Sequence, residues 1–190
     1  MTENPELLDP FNPVGAAFAP IIGLPAWFVQ KGHGSILTFE FGEPHLSIRE
    51  PRESQSENPT IRERSQRRRV VPHGEWHLFI YFCHWRCSER GTERSTDNSP
   101  QEDIVAATRM MDGQRLTSVG VEPTSGASTF VFDLGAKLET WPYADDDETQ
   151  WWLSTPSGNN LAYRADGKYS WGPRNQDPDE REWLPLPMTR

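Results

Sequence analysis

The sequence predicts an α+β fold, β-rich and built from two related halves. Each half is a helix or helical turn plus about four mostly antiparallel strands. Three observations carry this expectation. The phrase Thr38-Phe39-Glu40-Phe41-Gly42 returns as Val131-Phe132-Asp133-Leu134-Gly135. The stretch after each phrase runs into a proline, Pro51 and Pro142. A Trp-led strand then begins in both places, at Glu75-Trp76-His77-Leu78 and at Gln150-Trp151-Trp152-Leu153. The pseudo-repeat covers 12–87 and 102–172 of a single compact domain spanning 1–190.

Each half opens on a helical segment. In the second half, Ser99 reads as an N-cap, Pro100 as N1 and Glu102 as the N3 partner of a capping box. Ile104, Ala107 and Met111 then fall on one face, and Gly113 is a stop signal. The first half carries Pro13, Gly15 and Pro20 in the matching place, so its helix is expected to be short or broken.

The repeated phrase alternates at period two, which marks a strand with one buried face. The glycine after it permits a turn. A second strand follows, 45–48 in one half and 137–140 in the other, so 37–51 and 130–142 are expected to form equivalent hairpins. Trp76 and Trp151 are expected at equivalent core positions. Residues 76–86 are apolar on both faces and read as one central strand. SGNN at 157–160 and Asp166-Gly167 mark further hairpin turns.

Residues 52–69 are charged and without apolar period, and read as a mobile loop inside the first half. Residues 175–190 read as an extended C-terminal tail over the surface.

The chain has 35% hydrophobic residues, but eight Trp and nine Phe supply large buried areas. A formal net charge of -9 disfavours binding to phosphate backbones and favours cationic partners. The start, MTENPELLDP, lacks a basic n-region and does not read as a signal peptide. The apolar stretch 13–29 is broken by three prolines and two glycines, so no membrane span is expected and the chain reads as cytoplasmic. Arg strongly outnumbers Lys, which points to a bacterial source.

Chemical motifs are sparse. Cys83 and Cys87, with His73, His77 and His84 nearby, raise zinc, but the spacing is wrong for a knuckle, and the two thiols would lie about 13 Å apart along one strand, too far to share a metal or a disulfide. They read as buried structural thiols. His84 would point to the opposite face and could not activate Cys83 as a nucleophile. The run Asp145-Asp146-Asp147-Glu148 lacks calcium-loop spacing and reads as a solvated loop or a patch for a basic partner. Arg67, Arg68 and Arg69 read as neutralised by nearby acids. His33, between two glycines, reads as a hairpin-tip residue. No phosphate loop, nucleophile elbow or metalloprotease signature occurs. No cofactor and no metal are therefore expected, and the chain reads as a non-enzyme.

Two resemblances add to this. The stretches LPAW, GHGSILTFEFGEPHLSIREP and GEWHLFIYFCHWRC resemble an uncharacterised family of bacterial β-rich proteins. The second half, with FDLGAKLE and TQWWL, is similar in style to immunity proteins of bacterial toxin systems. With the acidity, the lack of catalytic motifs and the excess of Trp, it points to a non-enzymatic interaction protein, an immunity protein or inhibitor that binds a basic protein partner. Acidic residues Asp145, Asp146, Asp147, Glu148, Asp177, Asp179 and Glu180 would steer the encounter, and Trp141 and Tyr143 would anchor it. The competing reading is a small-molecule binder or enzyme whose pocket holds His33, His45 or His77. A third is a structural component of a bacterial complex.

Overall fold

The computed structural model describes residues 8–144 and 147–187, apart from the side chain of Pro178. The first half contains helix α1 (Pro13–Phe18) and strands β1 (Trp27–Lys31), β2 (Leu37–Phe41) and β3 (His45–Arg49). Helix α2 (Pro59–Ser65) follows, then β4 (Arg69–His73), β5 (Trp76–Ile80), β6 (His84–Glu89) and β7 (Thr92–Thr96). The second half contains α3 (Gln101–Met111), β8 (Leu116–Glu122), β9 (Ala127–Phe132) and β10 (Ala136–Trp141). It ends with β11 (Thr149–Ser154), β12 (Asn159–Arg164), β13 (Lys168–Pro173) and β14 (Leu184–Pro185). Among the described residues, no helix is long and apolar enough to cross a membrane.

The strands form a seven-stranded sheet of order β1-β2-β5-β11-β12-β13-β14 and a five-stranded sheet of order β7-β6-β10-β9-β8. Every strand pairing among the described residues is antiparallel. The two sheets share a connection rule. The meander β1-β2-β5 is extended by β11, and the meander β8-β9-β10 is extended by β6. Each meander is thus continued by the strand that follows the other one.

The inner faces of the two sheets make one core. In the larger sheet, Leu37, Ile80, Trp151 and Tyr163 form one row across four strands and Phe39, Leu78, Leu153 and Leu161 the next. The smaller sheet contributes Phe130, Leu138 and Cys87, also a cross-strand row. Phe39 stacks on Phe132 with ring centroids 6.1 Å apart, joining the sheets. Phe18 of α1 closes the core, 5.7 Å from Trp151 and 6.0 Å from Phe130. Trp85 and Trp151 are fully buried. Each satisfies its indole N–H, Trp85 on the Ser35 carbonyl at 2.6 Å and Trp151 on Ser128 Oγ at 2.8 Å.

Several expectations need correction. Residues 37–51 do not make a hairpin: β2 pairs with β1 and β5, while β3 pairs with β4 in a separate two-stranded sheet. The reason is burial, since β3 exposes Leu46 and Ile48 and offers no apolar face to the core. Residues 76–86 are two strands, not one. The chain leaves the larger sheet after Ile80, turns at 81–83, where Cys83 N–H bonds the Tyr81 carbonyl at 3.1 Å, and enters the smaller sheet at His84. Trp76 is only partly buried, whereas Trp85 and Trp151 are fully buried.

Ser99 does not cap α3. Its Oγ accepts from Thr96 N–H at 2.9 Å, and Pro100 stands at the N-cap. Residues 59–65, expected as loop, form α2, whose N-cap Asn58 accepts from Thr60 N–H at 3.0 Å. Asn58-Pro59 is a helix-start signal that a charge-based reading passes over. The C-terminal segment is tied down: β14 pairs with β13, and the Arg164 guanidinium lies 4.6 Å from the Trp183 ring.

Candidate functional site

The outer face of the larger sheet carries two cross-strand rows. One is polar: Glu40, His77, Ser154 and Asn160 stand opposite one another on β2, β5, β11 and β12. The next is Thr38, Phe79, Trp152 and Ala162. Strand alternation dictates this, since residues one position away point into the core. Phe79 and Trp152 stack at 4.3 Å with planes 13° apart, giving the floor a flat aromatic plate.

Two segments wall this floor. The excursion β3–β4 brings His45 and His73, and the chain after β13 brings Arg174 and Arg181. The result is an open groove of about 1030 Å³. Arg49 adds a third guanidinium to its rim. A locally cationic groove thus sits on an acidic protein.

Glu40 is the most buried charged group of the site, at 2% exposure. It lies on the outer face, yet β4 folds over it. The crossing is close: a Cβ on Gly74 would stand 2.3 Å from the Phe41 carbonyl oxygen, so only glycine fits there. The Gly74 N–H donates to Glu40 Oε2 at 2.9 Å. Glu40 Oε1 lies 2.7 Å from His77 Nδ1 and 3.1 Å from His73 Nδ1. Burial alone would raise this carboxyl's pKa. The hydrogen bond and charge of His77, with Gly74 N–H and His73, outweigh it and hold the pKa below the usual value. The His45 ring neighbours that of His73, tilted by 37° with centroids 6.2 Å apart.

The Asn160 side chain, on the same polar row, lines the groove, and its Oδ1 is buried with no hydrogen-bond partner among the described residues.

An aromatic path leaves the groove. From Phe79 it continues through Tyr81 and Phe82 to Tyr143, with neighbouring centroids 5.9, 6.0 and 5.3 Å apart. Tyr143 meets His84 at 4.3 Å, and His84 meets Trp141 at 5.7 Å. His84 is anchored by Asp97 at 2.9 Å. Tyr81, Phe82, Trp141 and Tyr143 are each about 40% exposed, which makes a contiguous apolar patch.

Of the residues singled out from sequence, His45 and His77 come together in the groove. His33 does not join them; it is exposed in the β1–β2 turn. Trp141 and Tyr143 share the aromatic patch. Asp145 and Asp146 lie outside the described residues. Asp147 is exposed and 3.8 Å from Arg164, and Glu148 accepts Ala165 N–H through its carbonyl. Asp177, Asp179 and Glu180 are exposed in the turn that leads to Arg181. Arg67 pairs with Glu63, and Arg68 with Glu50 at 2.9 Å, so these two are locally neutralised. Cys83 and Cys87 are buried, and burial pushes both thiols up, Cys87 to about 12, so neither is a thiolate at neutral pH.

Sequence reasoning does not single out Glu40, Asn160 or Arg174, and it sets His73 aside with the two cysteines. Glu40 sat inside the repeated phrase and was read only as the polar half of an alternation.

Compared with family models, curated proteins and solved structures, the chain matches none.

Proposed function

We propose that this chain binds a small anionic molecule carrying a flat ring, seated in the groove between the β3–β4 excursion and the segment after β13. The meeting of three guanidinium groups and an aromatic plate in one groove carries the reading. The Arg49, Arg174 and Arg181 guanidinium groups suit a phosphate or carboxylate. The Phe79–Trp152 plate suits a ring. This is the pocket reading of the sequence with His33 replaced by His73.

Calorimetry with 4-aminophenyl phosphate, which offers an anion, a ring and an amine donor, tests it. Saturable binding that falls ~10-fold or more in each of Trp152→Ala and Arg174→Ala is expected. The absence of saturable binding at millimolar probe, or wild-type affinity in both variants, would overturn it.

A second reading rests on a separate observation. The exposed patch of Tyr81, Phe82, Trp141 and Tyr143 suits a protein partner, in line with the immunity-type expectation. A basic partner is favoured by the net charge of -9. Co-purification that is lost in a Phe82→Ser, Tyr143→Ser variant would support this reading over the groove.

We also infer that the halves arose by duplication. The shared connection rule of the two meanders and the parallel roles of Trp85 and Trp151 support this.

A further inference from the structure

We propose that Glu40, His73 and His77 hold one divalent transition-metal ion of the zinc class. The three come from β2, β4 and β5, and their ligand atoms all lie within 4.8 Å of one another. Two imidazole nitrogens and a carboxylate oxygen are the donor set that suits such ions, and calcium or magnesium would call for oxygens instead.

The geometry is near that of a metal centre. A tetrahedral ion with bonds near 2.0–2.1 Å needs ligand atoms about 3.4 Å apart. Glu40 Oε1 lies 3.1 Å from His73 Nδ1 and 2.7 Å from His77 Nδ1. Both rings therefore have to move away from Glu40 Oε1 by less than an ångström. His73 ends β4, which pairs with β3 and not with the larger sheet. In the ion-free state both Nδ1–H groups serve one carboxylate oxygen. In the bound state each ring carries its proton on Nε2 and offers the Nδ1 lone pair.

The surroundings fit a site that exchanges ligands. Gly74 N–H holds the second carboxylate oxygen at 2.9 Å, the kind of outer contact that fixes a metal-binding carboxylate. The imidazoles are 24% and 22% exposed on the groove side, while the Glu40 side chain is 3% exposed. Three protein donors and an open face leave a coordination position for water or a groove ligand. The positions explain why local spacing concealed the set: Glu40 stands opposite His77 in the strand register, and His73 arrives over the top.

The inference stands apart from the identity of the groove ligand. Its test uses tag-free full-length protein freed of metal by chelator, titrated with zinc chloride. One equivalent is expected to bind with a dissociation constant below about 1 µM. His77→Ala should weaken it ~100-fold, while His33→Ala should not change it. Pulsed electron paramagnetic resonance of the wild-type protein loaded with one equivalent of copper(II) should show two imidazole nitrogens, which keeps the test decisive if His77→Ala does not fold. No saturable zinc binding, unchanged affinity in folded His77→Ala, or fewer than two imidazoles on copper would overturn the proposal. Binding of 4-aminophenyl phosphate to the metal-free protein is read separately, so either idea can fail alone.

Discussion

Glu40 and His77 face each other across neighbouring antiparallel strands, and the carboxylate Oε1 lies 2.7 Å from the imidazole Nδ1. A carboxylate in the middle of a strand such as Leu37–Phe41 would ordinarily reach solvent. Here the β3–β4 excursion covers it, and three donors replace the water it has lost. The covering and the donors are one device, because Gly74 supplies both the close crossing and an N–H.

That device makes Glu40→Gln costly in metal-free protein. The amide keeps the size but gives up charge-assisted acceptance from two imidazoles, and its NH2 faces donors. A loss of about 2–3 kcal/mol is expected from urea unfolding. A loss under about 0.5 kcal/mol would mean that the carboxylate is not needed to hold β4 in place.

Gly74→Ala tests the crossing itself. The added methyl would stand 2.3 Å from the Phe41 carbonyl oxygen and 2.8 Å from its nitrogen, both backbone atoms. A cost of about 2–3 kcal/mol is expected. Gly120→Ala, where nothing lies within 4 Å, is the control and should cost little. Equal thermal midpoints for the two variants would contradict the close approach.

Trp85 and Trp151 should respond alike and Trp76 should not. The first two are fully buried with bonded indoles, so replacement by Ala should cost about 3–5 kcal/mol each. Trp76 is partly buried, and its loss should cost about 1–2 kcal/mol. Chemical denaturation of the three variants ranks them.

Acid stability should depend on Asp166. The bidentate bond from Arg164 holds its pKa down to about 2, burial works against this, and Lys168 adds to the lowering. A depressed carboxylate stabilises the fold above its unfolded pKa of about 3.9 and loses that contribution as pH falls toward 2. Asp166→Asn should therefore flatten the midpoint between pH 4 and 2 relative to wild type, and change little in slope above pH 5. Parallel acid profiles would refute this.

What was legible from sequence follows from period two. The strands of the core and their inward faces could be read because Leu37, Phe39 and Phe41 alternate with polar residues. Pairing could not, since alternation says nothing about which strand lies alongside. The phrase predicts that β2 pairs with the strand that follows it, as β9 does with β10, whereas the register sets Phe39 opposite Leu78 of β5. The groove was hidden for a related reason. Its parts are single polar residues on several strands, brought together by an excursion whose course no local signal gives. His45 and His77 were visible as histidines, but Glu40 gains its meaning only from the donors the fold brings to it.

The last expectation concerns that excursion. β3 and β4 pair through to Arg49 opposite Arg69, so the ends of 50–68 lie side by side. Helix α2 buries no residue, and its strongest ties are local, from the Asn58 cap to the Arg67–Glu63 pair. Arg68 bonds Glu50 inside the same segment. Nothing in 50–68 is part of the contiguous apolar core. Replacing the segment with Asn-Gly, a two-residue turn suited to adjacent antiparallel strands, should therefore leave the thermal midpoint within a few degrees. His45, His73 and Gly74 stay in place, so the groove wall and the covering of Glu40 should survive. The check is a thermal melt alongside the NMR signals of the His73 and His77 rings. A drop of more than about 10 °C, or loss of those ring signals, would show that α2 supports β4 and is not an ornament on its turn.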